Sequence, residues 1–204
     1  MDIIFRHTQL YKFLRYCNDE GLEKVVLDCG AGGNCPPLAL FATNGYKTFG
    51  IEFDEGQLDK ANMFAEKNDL ELNIARGDMR MLPFEDASMD YVYSYNAVFH
   101  MNKKDISKSV DEMKRVLKPG GLCFVNFLTV NDFRYGQGEE LEKGEFVQAE
   151  DDGTVIHSYY EIDEGDAHFN DMEILVKENR VLERIFEGER IRQGFVDYIV
   201  RKKK

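Results

Sequence analysis

Residues 25–34 read VVLDCGAGGN, and this short stretch decides the fold. The run from Lys24 to Cys29 is rich in apolar, β-branched residues, which is typical of a buried strand, and the glycines that follow it stop the strand. Beyond Pro36 and Pro37 the pattern is helical until Gly45. The sequence therefore predicts a strand, a glycine turn and a helix in that order.

The same alternation recurs further along the chain. Predicted strands cover residues 46–52, 70–75, 89–95 and 122–130, and predicted helices cover residues 54–68 and 103–117. In the second of these helices, Ile106, Val110 and Met113 fall on one face. Alternating strands and helices build a mostly parallel sheet with helices on both faces. We therefore expect a doubly wound α/β fold.

The two ends of the chain follow other patterns. Residues 1–22 have apolar positions at helical spacing and predict an N-terminal helical cap. Residues 131–204 lose that spacing and contain a strongly acidic stretch, which predicts antiparallel strands and an acidic insert. The last strand is expected at Phe195–Arg201. We interpret all 204 residues as one domain, with residues 23–130 as its core.

Composition excludes several classes of partner. The chain has 26 basic and 38 acidic residues and a net charge of −12, so a nucleic acid would meet a repulsive field. Its longest apolar run, Leu122–Val130, is far shorter than a bilayer span of about 20 residues. Four cysteines form no CxxC pair and are expected to be buried thiols. We expect a cytoplasmic protein without nucleic acid or membrane partners.

Small and acidic residues gather at the predicted carboxyl ends of the strands, where open α/β sheets bind ligands. Gly30 and Gly32 lack the Cβ atoms that would keep a ligand from the backbone, and Asp28 can accept a hydrogen bond from an ammonium group. Glu52 ends the second strand, where a carboxylate can accept both hydroxyls of a ribose. Asp78, after the third strand, could accept from an adenine amine. Together they favour a ligand that contains adenosine.

The motifs VLDCGAGG, GIEFD, ARGDMRMLPF, MDYVYSYNAVFHM and MKRVLKPGGLCFVNF follow one another between Val25 and Val130. In this order they resemble the class I S-adenosylmethionine-dependent methyltransferases, type 11 (UbiE-like). The resemblance implies a Rossmann-like, seven-stranded sheet with an antiparallel C-terminal strand. It also implies S-adenosylmethionine as cofactor and residues 23–130 as the cofactor-binding core.

Thirteen residues are the expected cofactor contacts, most of them carried over from the family's motifs. They are Tyr11, Asp28, Gly30, Ala31, Gly32, Asn34, Glu52, Phe53, Gln57, Asp78, Met79, Tyr95 and Asn96. Asn34 stands where the family usually has a third glycine. Asparagine tolerates a positive φ, so the turn can form, although the side chain could narrow the pocket.

Methyl transfer from a sulfonium is an in-line displacement that requires alignment and exclusion of water, and we expect no metal. His100 is the first candidate for a general base, and His157 is the second. Aromatic residues could surround the sulfonium, and the candidates are Phe5, Tyr11, Tyr95, Phe99, Tyr159 and Tyr160.

The expected acceptor is a small molecule, neutral or cationic if the acidic insert, residues 139–171, borders the pocket. Two alternatives remain: a non-catalytic module that binds S-adenosylmethionine or S-adenosylhomocysteine, and an NAD-dependent dehydrogenase. The dehydrogenase is disfavoured because Cys35 stands where its turn needs a third glycine or alanine. The sequence leaves the methylated atom and the oligomeric state open.

Overall fold

The computed structural model describes residues 3, 5, 7–150 and 153–204. Residues 1, 2, 4 and 6 of the predicted cap lie outside the described residues. The helices are α1 (Thr8–Asp19), α2 (Leu38–Ala42), α3 (Glu55–Lys67) and α4 (Lys103–Val116), and a 3-10 helix covers Glu164–Phe169. The strands are β1 (Val25–Cys29), β2 (Lys47–Glu52), β3 (Ile74–Arg76), β4 (Met89–Ser94), β5 (Leu117–Thr129), β6 (Glu139–Glu142), β7 (Glu145–Glu150), β8 (Gly153–Tyr160), β9 (Met172–Phe186) and β10 (Glu189–Lys202).

Seven of these strands form the expected sheet. They lie in the order β3-β2-β1-β4-β5-β10-β9, with parallel pairing from β3 to β5 and antiparallel pairing of β10 with both neighbours. The doubly wound, mostly parallel fold with an antiparallel C-terminal strand is thus confirmed. Every residue of β4, near the middle of the sheet, is buried, as a strand covered on both faces requires.

Each face of the sheet has its own hydrophobic core. On one face α4 buries Ile106, Val110 and Met113, the positions that the sequence spacing predicted. On the other face α1 buries Leu10 and Phe13 against β1, β4 and α2. These cores fix the strand ends from which the functional site is built. Within the described residues, no helix is long and apolar enough to cross a membrane.

Several element boundaries differ from those expected. Strand β3 is confined to Ile74–Arg76, because Asp69 and Asn73 adopt positive φ angles of 54° and 53° and break the extended backbone before it. The predicted last strand lies within the longer β10, which pairs with β9 from Glu189 to Lys202. Strand β5 begins at Leu117, directly after α4.

Three further strands extend the sheet from seven to ten, so the expected count is too low. Strands β6, β7 and β8 pair antiparallel within the acidic insert, and β8 joins β5 through Leu128 opposite Tyr159 and Thr129 opposite Tyr160. Leu128 also pairs with Phe195 of β10, so β8 occupies the opposite edge of β5. That is the edge where β4 has already ended at Ser94. The insert therefore lies beyond the carboxyl end of β4.

Candidate functional site

A cleft of about 720 Å³ opens at the carboxyl ends of β1, β2, β3 and β4. Its lining comes from the glycine turn, the ends of the next two strands, the loop after β4 and the acidic insert. The lining residues are Gly30, Gly32, Ile51, Glu52, Phe53, Asp54, Gln57, Gly77, Asp78, Met79, Arg80, Asn96, Ala97, His100, Met101, Glu150 and Val155. This volume is in the range that holds a cofactor-sized ligand.

The glycine turn is held against the end of β2 by backbone hydrogen bonds. The amides of Gly30 and Ala31 both donate to the carbonyl of Ile51, at 2.9 and 3.1 Å. Gly30 has a φ of +99°, and a Cβ built there would lie 2.3 Å from the Cβ of Ala97. Only glycine combines this φ with so close an approach to the loop after β4.

Glu52 fastens the turn from the ligand side. One carboxylate oxygen, Oε2, accepts from the amide of Gly32 at 2.9 Å, and Oε1 accepts from the amide of Asp54 at 2.9 Å. A Cβ on Gly32 would lie 2.6 Å from Oε2, so a larger residue would push the carboxylate away. Each oxygen retains a lone pair beyond these bonds, which leaves the carboxylate able to accept hydroxyl donors from the cleft.

Asp28 lies beneath the turn, 1% exposed, and is not part of the cleft lining. Burial raises the pKa of its carboxyl well above the usual range, the Tyr93 hydroxyl lowers it, and Glu52 raises it further. Among the described residues, neither carboxylate oxygen has a hydrogen bond of good geometry, and neither has the Tyr93 hydroxyl. A buried carboxyl without partners is costly. A ligand donor, a water or a retained proton would satisfy it.

Asp78 reaches the cleft but is already engaged by Arg80. The Arg80 Nε and Nη2 donate to both Asp78 oxygens at 2.7–3.0 Å, and Nη1 donates to Asp105 at 2.8 Å. The hydrogen bond with Arg80 lowers the pKa of the Asp78 carboxyl. Arg80 is a lining residue that sequence analysis missed, although it directly follows the motif residues Asp78 and Met79.

The loop after β4 is pinned by a pair of asparagines. Asn96 has a φ of 54°, and its amide donates to Oδ1 of Asn126 at 2.8 Å. The Asn126 side chain, fully buried on β5, donates in return to Oδ1 of Asn96 at 2.6 Å. These two hydrogen bonds stabilise the left-handed backbone conformation of Asn96 at the cleft wall, and they keep Ala97 against Gly30.

His100 and His157 meet where this loop faces the insert. Their ring centroids lie 4.7 Å apart in an edge contact, and His100 also packs on Phe99 at 4.7 Å. The surrounding protein desolvates His100 and lowers its pKa, while Glu150 raises it. Burial lowers the pKa of His157 to about 4, with His100 and Arg134 lowering it further and Glu150 opposing. The His157 ring is therefore neutral at neutral pH.

The structure brings nine of the expected site residues into the cleft lining. They are Gly30, Gly32, Glu52, Phe53, Gln57, Asp78, Met79, Asn96 and His100. The other five predicted contacts are not in the lining: Tyr11, Asp28, Ala31, Asn34 and Tyr95.

Asp28 lies beneath the turn, and the other four residues lie elsewhere in the fold. Tyr11 is 47% exposed on α1, and Ala31 is buried under the close approach of Gly50. Tyr95 packs edge-on against His7. Asn34 is exposed and lies outside the lining, and the positive φ angles of the turn fall on Gly30 and Gly33, at +99° and +100°.

Part of the lining was not predicted because it lies far along the chain from the motifs that define the rest of the cleft. Glu150 and Val155 come from β7 and β8, and only the tertiary pairing of β8 with β5 brings them to the cleft. The acidic insert therefore borders the pocket. This is the arrangement for which a neutral or cationic acceptor is expected. Of the six aromatic candidates for a sulfonium cage, Tyr159 and Tyr160 are 1% exposed and belong to hydrophobic clusters.

Comparison with known proteins agrees with this architecture. Residues 27–125 match the family model described as a methyltransferase domain. A solved S-adenosylmethionine-dependent methyltransferase from Methanosarcina mazei superposes with a TM-score of 0.73 at 22% identity, covering 98% of both chains. At this identity the likeness establishes the fold.

Two curated relatives share more sequence. Sterol 24-C-methyltransferase ERG6B of Gibberella zeae is 30% identical over 147 residues, 71% of this chain and 37% of the relative. The 24-methylenesterol C-methyltransferase 3 of Arabidopsis thaliana is 30% identical over 133 residues, 64% of this chain and 36% of the relative. The matched region thus spans little more than a third of these relatives.

The fold is that of solved S-adenosylmethionine-dependent methyltransferases, and the methyltransferase-domain model matches just under half of the chain. This similarity implies S-adenosylmethionine as the cofactor. The residues present fit this molecule. A glycine turn without room for side chains adjoins a carboxylate with free lone pairs. Below it lies a buried aspartate whose oxygens have no hydrogen-bond partner in the described part of the chain.

Proposed function

We propose that this chain transfers a methyl group from S-adenosylmethionine to a small-molecule acceptor. The observation that carries the proposal is the Glu52 carboxylate, held by the amides of Gly32 and Asp54 at the edge of the cleft. A carboxylate fixed in this way is preorganised to accept two neighbouring hydroxyls, so little entropy is lost on binding a ribose.

Other residues of the cleft would hold the rest of the cofactor. Phe53 and Met79 offer apolar surface to the adenine ring, and Asp78 with Arg80 offers polar groups to its edge. Asp28, buried beneath the turn and outside the lining, is the carboxyl proposed to accept from the ammonium group. When bound, the cofactor supplies an electrophilic methyl group on a cationic sulfur. Asn96, pinned by Asn126, fixes the loop that closes the cleft near that group.

The acceptor would enter between His100 and the acidic insert. His100 lines the cleft with an exposed side chain, and its unprotonated imidazole would accept a proton from an acceptor hydroxyl or ammonium group. Glu150 and Val155 form the facing wall. The names of the curated relatives, which are sterol C-methyltransferases, support a small organic acceptor.

Location and partners follow from the same features. We propose a cytoplasmic protein of one domain, 1–204, that acts without nucleic acid or membrane partners. Three buried thiols, Cys17, Cys29 and Cys123, suit a reducing compartment, and the net charge of −12 disfavours polyanions.

Calorimetric titration tests the cofactor directly. We expect S-adenosylmethionine and S-adenosylhomocysteine to bind with micromolar affinity, about −8 kcal/mol, and NAD not to bind. Glu52→Ala should weaken binding about 10- to 100-fold, the usual effect of losing hydrogen bonds to a charged group. Glu55→Ala removes an exposed carboxylate on α3 outside the lining and serves as the matched control. Absence of binding to both sulfur compounds would overturn the proposal.

A turnover assay separates the enzyme from a non-catalytic binding module. The protein is incubated with S-adenosylmethionine and a panel of acceptors that includes sterols, amines and phenols, and S-adenosylhomocysteine is quantified. Release of S-adenosylhomocysteine that depends on the acceptor supports catalysis. We expect His100→Ala to slow this release without changing the affinity for the cofactor. Tight cofactor binding without turnover on any acceptor would favour the binding module.

A further inference from the structure

The segment that follows β4, residues 96–103, is held at both of its ends. At the first end, Asn96 is fixed by Asn126 of β5. The second end carries His100 and Met101 into the cleft lining and leads directly into α4. The contacts of this second end come from the acidic insert.

Ser158, on β8, binds the segment at two points. Its backbone amide donates to the carbonyl of Phe99 at 3.0 Å, and its hydroxyl donates to the carbonyl of Met101 at 2.7 Å. These two carbonyls belong to the residues on either side of His100. Ser158 is fully buried, so little water competes for the two hydrogen bonds. Together they fix the backbone that carries the His100 side chain.

Glu145 holds the next point of the segment. It lies on β7 directly opposite Ser158, it is buried, and its Oε1 accepts from the amide of Lys103 at 2.7 Å. That amide belongs to the first turn of α4, where backbone donors have no partner within the helix. The insert therefore contacts the segment from the carbonyl of Phe99 to the amide that begins α4.

Strand β8 also reaches the side chain of His100. His157, which precedes Ser158, is buried, and its ring centroid lies 4.7 Å from that of His100. The His100 amide donates to the carbonyl of Ala97 at 3.1 Å, which closes the turn on the other side. The ring and the backbone of His100 are thus both set by neighbours that lie far away in the sequence.

We infer that Ser158 and Glu145 are positioning residues for methyl transfer, because they fix residues 99–103 so that His100 is presented to the acceptor. This inference rests on the proposed function, in which His100 accepts a proton. Neither Ser158 nor Glu145 lines the cleft, so both act through the backbone that they hold. A displacement of about 1 Å at a reacting group can cost about 100-fold in rate, even when its cause lies away from the chemistry.

The cofactor side of the cleft depends on other contacts. Gly30 is held by the carbonyl of Ile51, Gly32 by Glu52, and Asn96 by Asn126. Loosening residues 99–103 should therefore slow the transfer step and leave the cofactor affinity unchanged. This separation distinguishes a positioning role from a general role in folding.

Variants of the full chain test the inference. Ser158→Ala removes the hydroxyl and keeps the backbone amide. Glu145→Ala removes the acceptor for Lys103, whereas Glu145→Gln is the conservative variant, because its side-chain carbonyl can accept from the same amide. Glu140→Ala is the matched control, since Glu140 lies in the same insert, accepts from Gly144 and does not line the cleft.

A second control addresses the loss of a buried hydroxyl. Thr48→Val removes such a group on β2, where the Thr48 hydroxyl donates to the carbonyl of Glu71 at 3.0 Å, outside the cleft lining. Circular dichroism and urea unfolding check that every variant is folded.

Each protein is assayed for its affinity for S-adenosylhomocysteine and for kcat with the acceptor of the sterol, amine and phenol panel that gives the fastest turnover. We expect Ser158→Ala and Glu145→Ala to lower kcat about 10-fold each, with the dissociation constant unchanged within about twofold. Glu145→Gln should restore most of the rate. Glu140→Ala and Thr48→Val should match the original chain.

A second readout follows His100 without any substrate. Because the rings of His100 and His157 are in contact, their ring protons should give a nuclear Overhauser effect in the original chain. The effect should persist in Glu145→Gln and weaken in Ser158→Ala and in Glu145→Ala.

An unchanged kcat in both alanine variants of a chain that turns over would overturn the inference. Cofactor affinity that falls in step with kcat, or a Glu145→Gln variant as slow as Glu145→Ala, would also overturn it, because the role would then be structural. An original chain that binds neither sulfur compound overturns the proposed function instead. In that case the ring contact still decides whether Ser158 and Glu145 position His100, and an unchanged contact in both alanine variants would show that they do not.

Discussion

The two walls of the cleft are built in opposite ways. The glycine-turn wall, residues 30–57, is continuous in sequence and held by backbone amides, with no space for a Cβ at Gly30 or Gly32. The insert wall, formed by Glu150 and Val155, depends on two register pairs between β8 and β5 and on side-chain contacts around His157. Most substitutions leave a wall of backbone atoms in place, whereas a wall made of side chains can be altered one residue at a time.

This difference assigns separate tasks to the two walls. A cofactor shared across a family suits the rigid wall, because preorganised amides and a fixed carboxylate need no adjustment on binding. An acceptor particular to one protein suits the variable wall. Three predictions test the contrast, in order of expected size.

The largest effect is expected at the glycine turn. Gly30→Ala should lower the free energy of unfolding by about 3–5 kcal/mol, because a positive φ costs about 1–2 kcal/mol and the collision with Ala97 adds overpacking. Gly45→Ala is the matched control, since Gly45 has a φ of +78° with nothing within 4 Å. Urea unfolding measures both. Equal losses in the two variants would mean that the rigid wall is not tightly packed.

A smaller effect is expected in the insert wall, at His157. Its folded pKa of about 4 lies below the ordinary value of 6.5, so the unfolded chain binds the proton more readily. His157 therefore contributes full stability above pH 6.5 and loses it as the pH falls towards 4, by about 3 kcal/mol. Three groups act on this ring: His100, Arg134 and Glu150.

Unfolding free energies at several pH values, compared between the original chain and His157→Gln, isolate this contribution. Other titrating groups, including Asp28 with its raised pKa, are common to both proteins and cancel. The difference between the two proteins should shrink from pH 7 to pH 4, as expected for one depressed histidine. A constant difference would show that His157 titrates normally and that the insert wall is more open to water.

The smallest effect is expected at Arg80, a lining residue that belongs to neither wall. Arg80→Ala should change stability by less than about 1 kcal/mol, since the pair is part-exposed, with Arg80 37% and Asp78 31% exposed. The pKa of Asp78 should rise towards its ordinary value, which carboxyl NMR titration detects. Lys108→Ala is the control, because Lys108 pairs with Asp105 but not with Asp78. An unchanged Asp78 pKa would mean that a group other than Arg80 lowers it.

The site residues that could be predicted from the sequence belong mostly to the glycine-turn wall. Gly30, Gly32 and Glu52 were found because a glycine turn after one strand and an acid ending the next are local features whose positions the alternating fold fixes. The face of α4 was found from its spacing for the same reason.

Residues whose placement depends on tertiary pairing were not found. Glu150 reaches the cleft only because β8 pairs with the last two residues of β5, and no local pattern encodes that register. Arg80 was missed because an arginine after a motif is usually a solvated side chain, and its role appears only with Asp105 brought beside it. Tyr11 was expected at the cleft but lies 47% exposed on α1, since the core-facing positions of that helix are Leu10, Phe13, Leu14 and Cys17.

The charge of the lining has a consequence for competition among metabolites. Four carboxylates line the cleft, from Glu52, Asp54, Asp78 and Glu150, against the single guanidinium of Arg80. The helix that follows the glycine turn, Leu38–Ala42, has only five residues, so its dipole offers little attraction to a phosphate. Adenine and ribose are common to many nucleotides, and shape alone cannot sort them. In the proposed enzyme, the negative charge of the lining would perform that sorting, because it repels polyphosphates and attracts a cationic ligand.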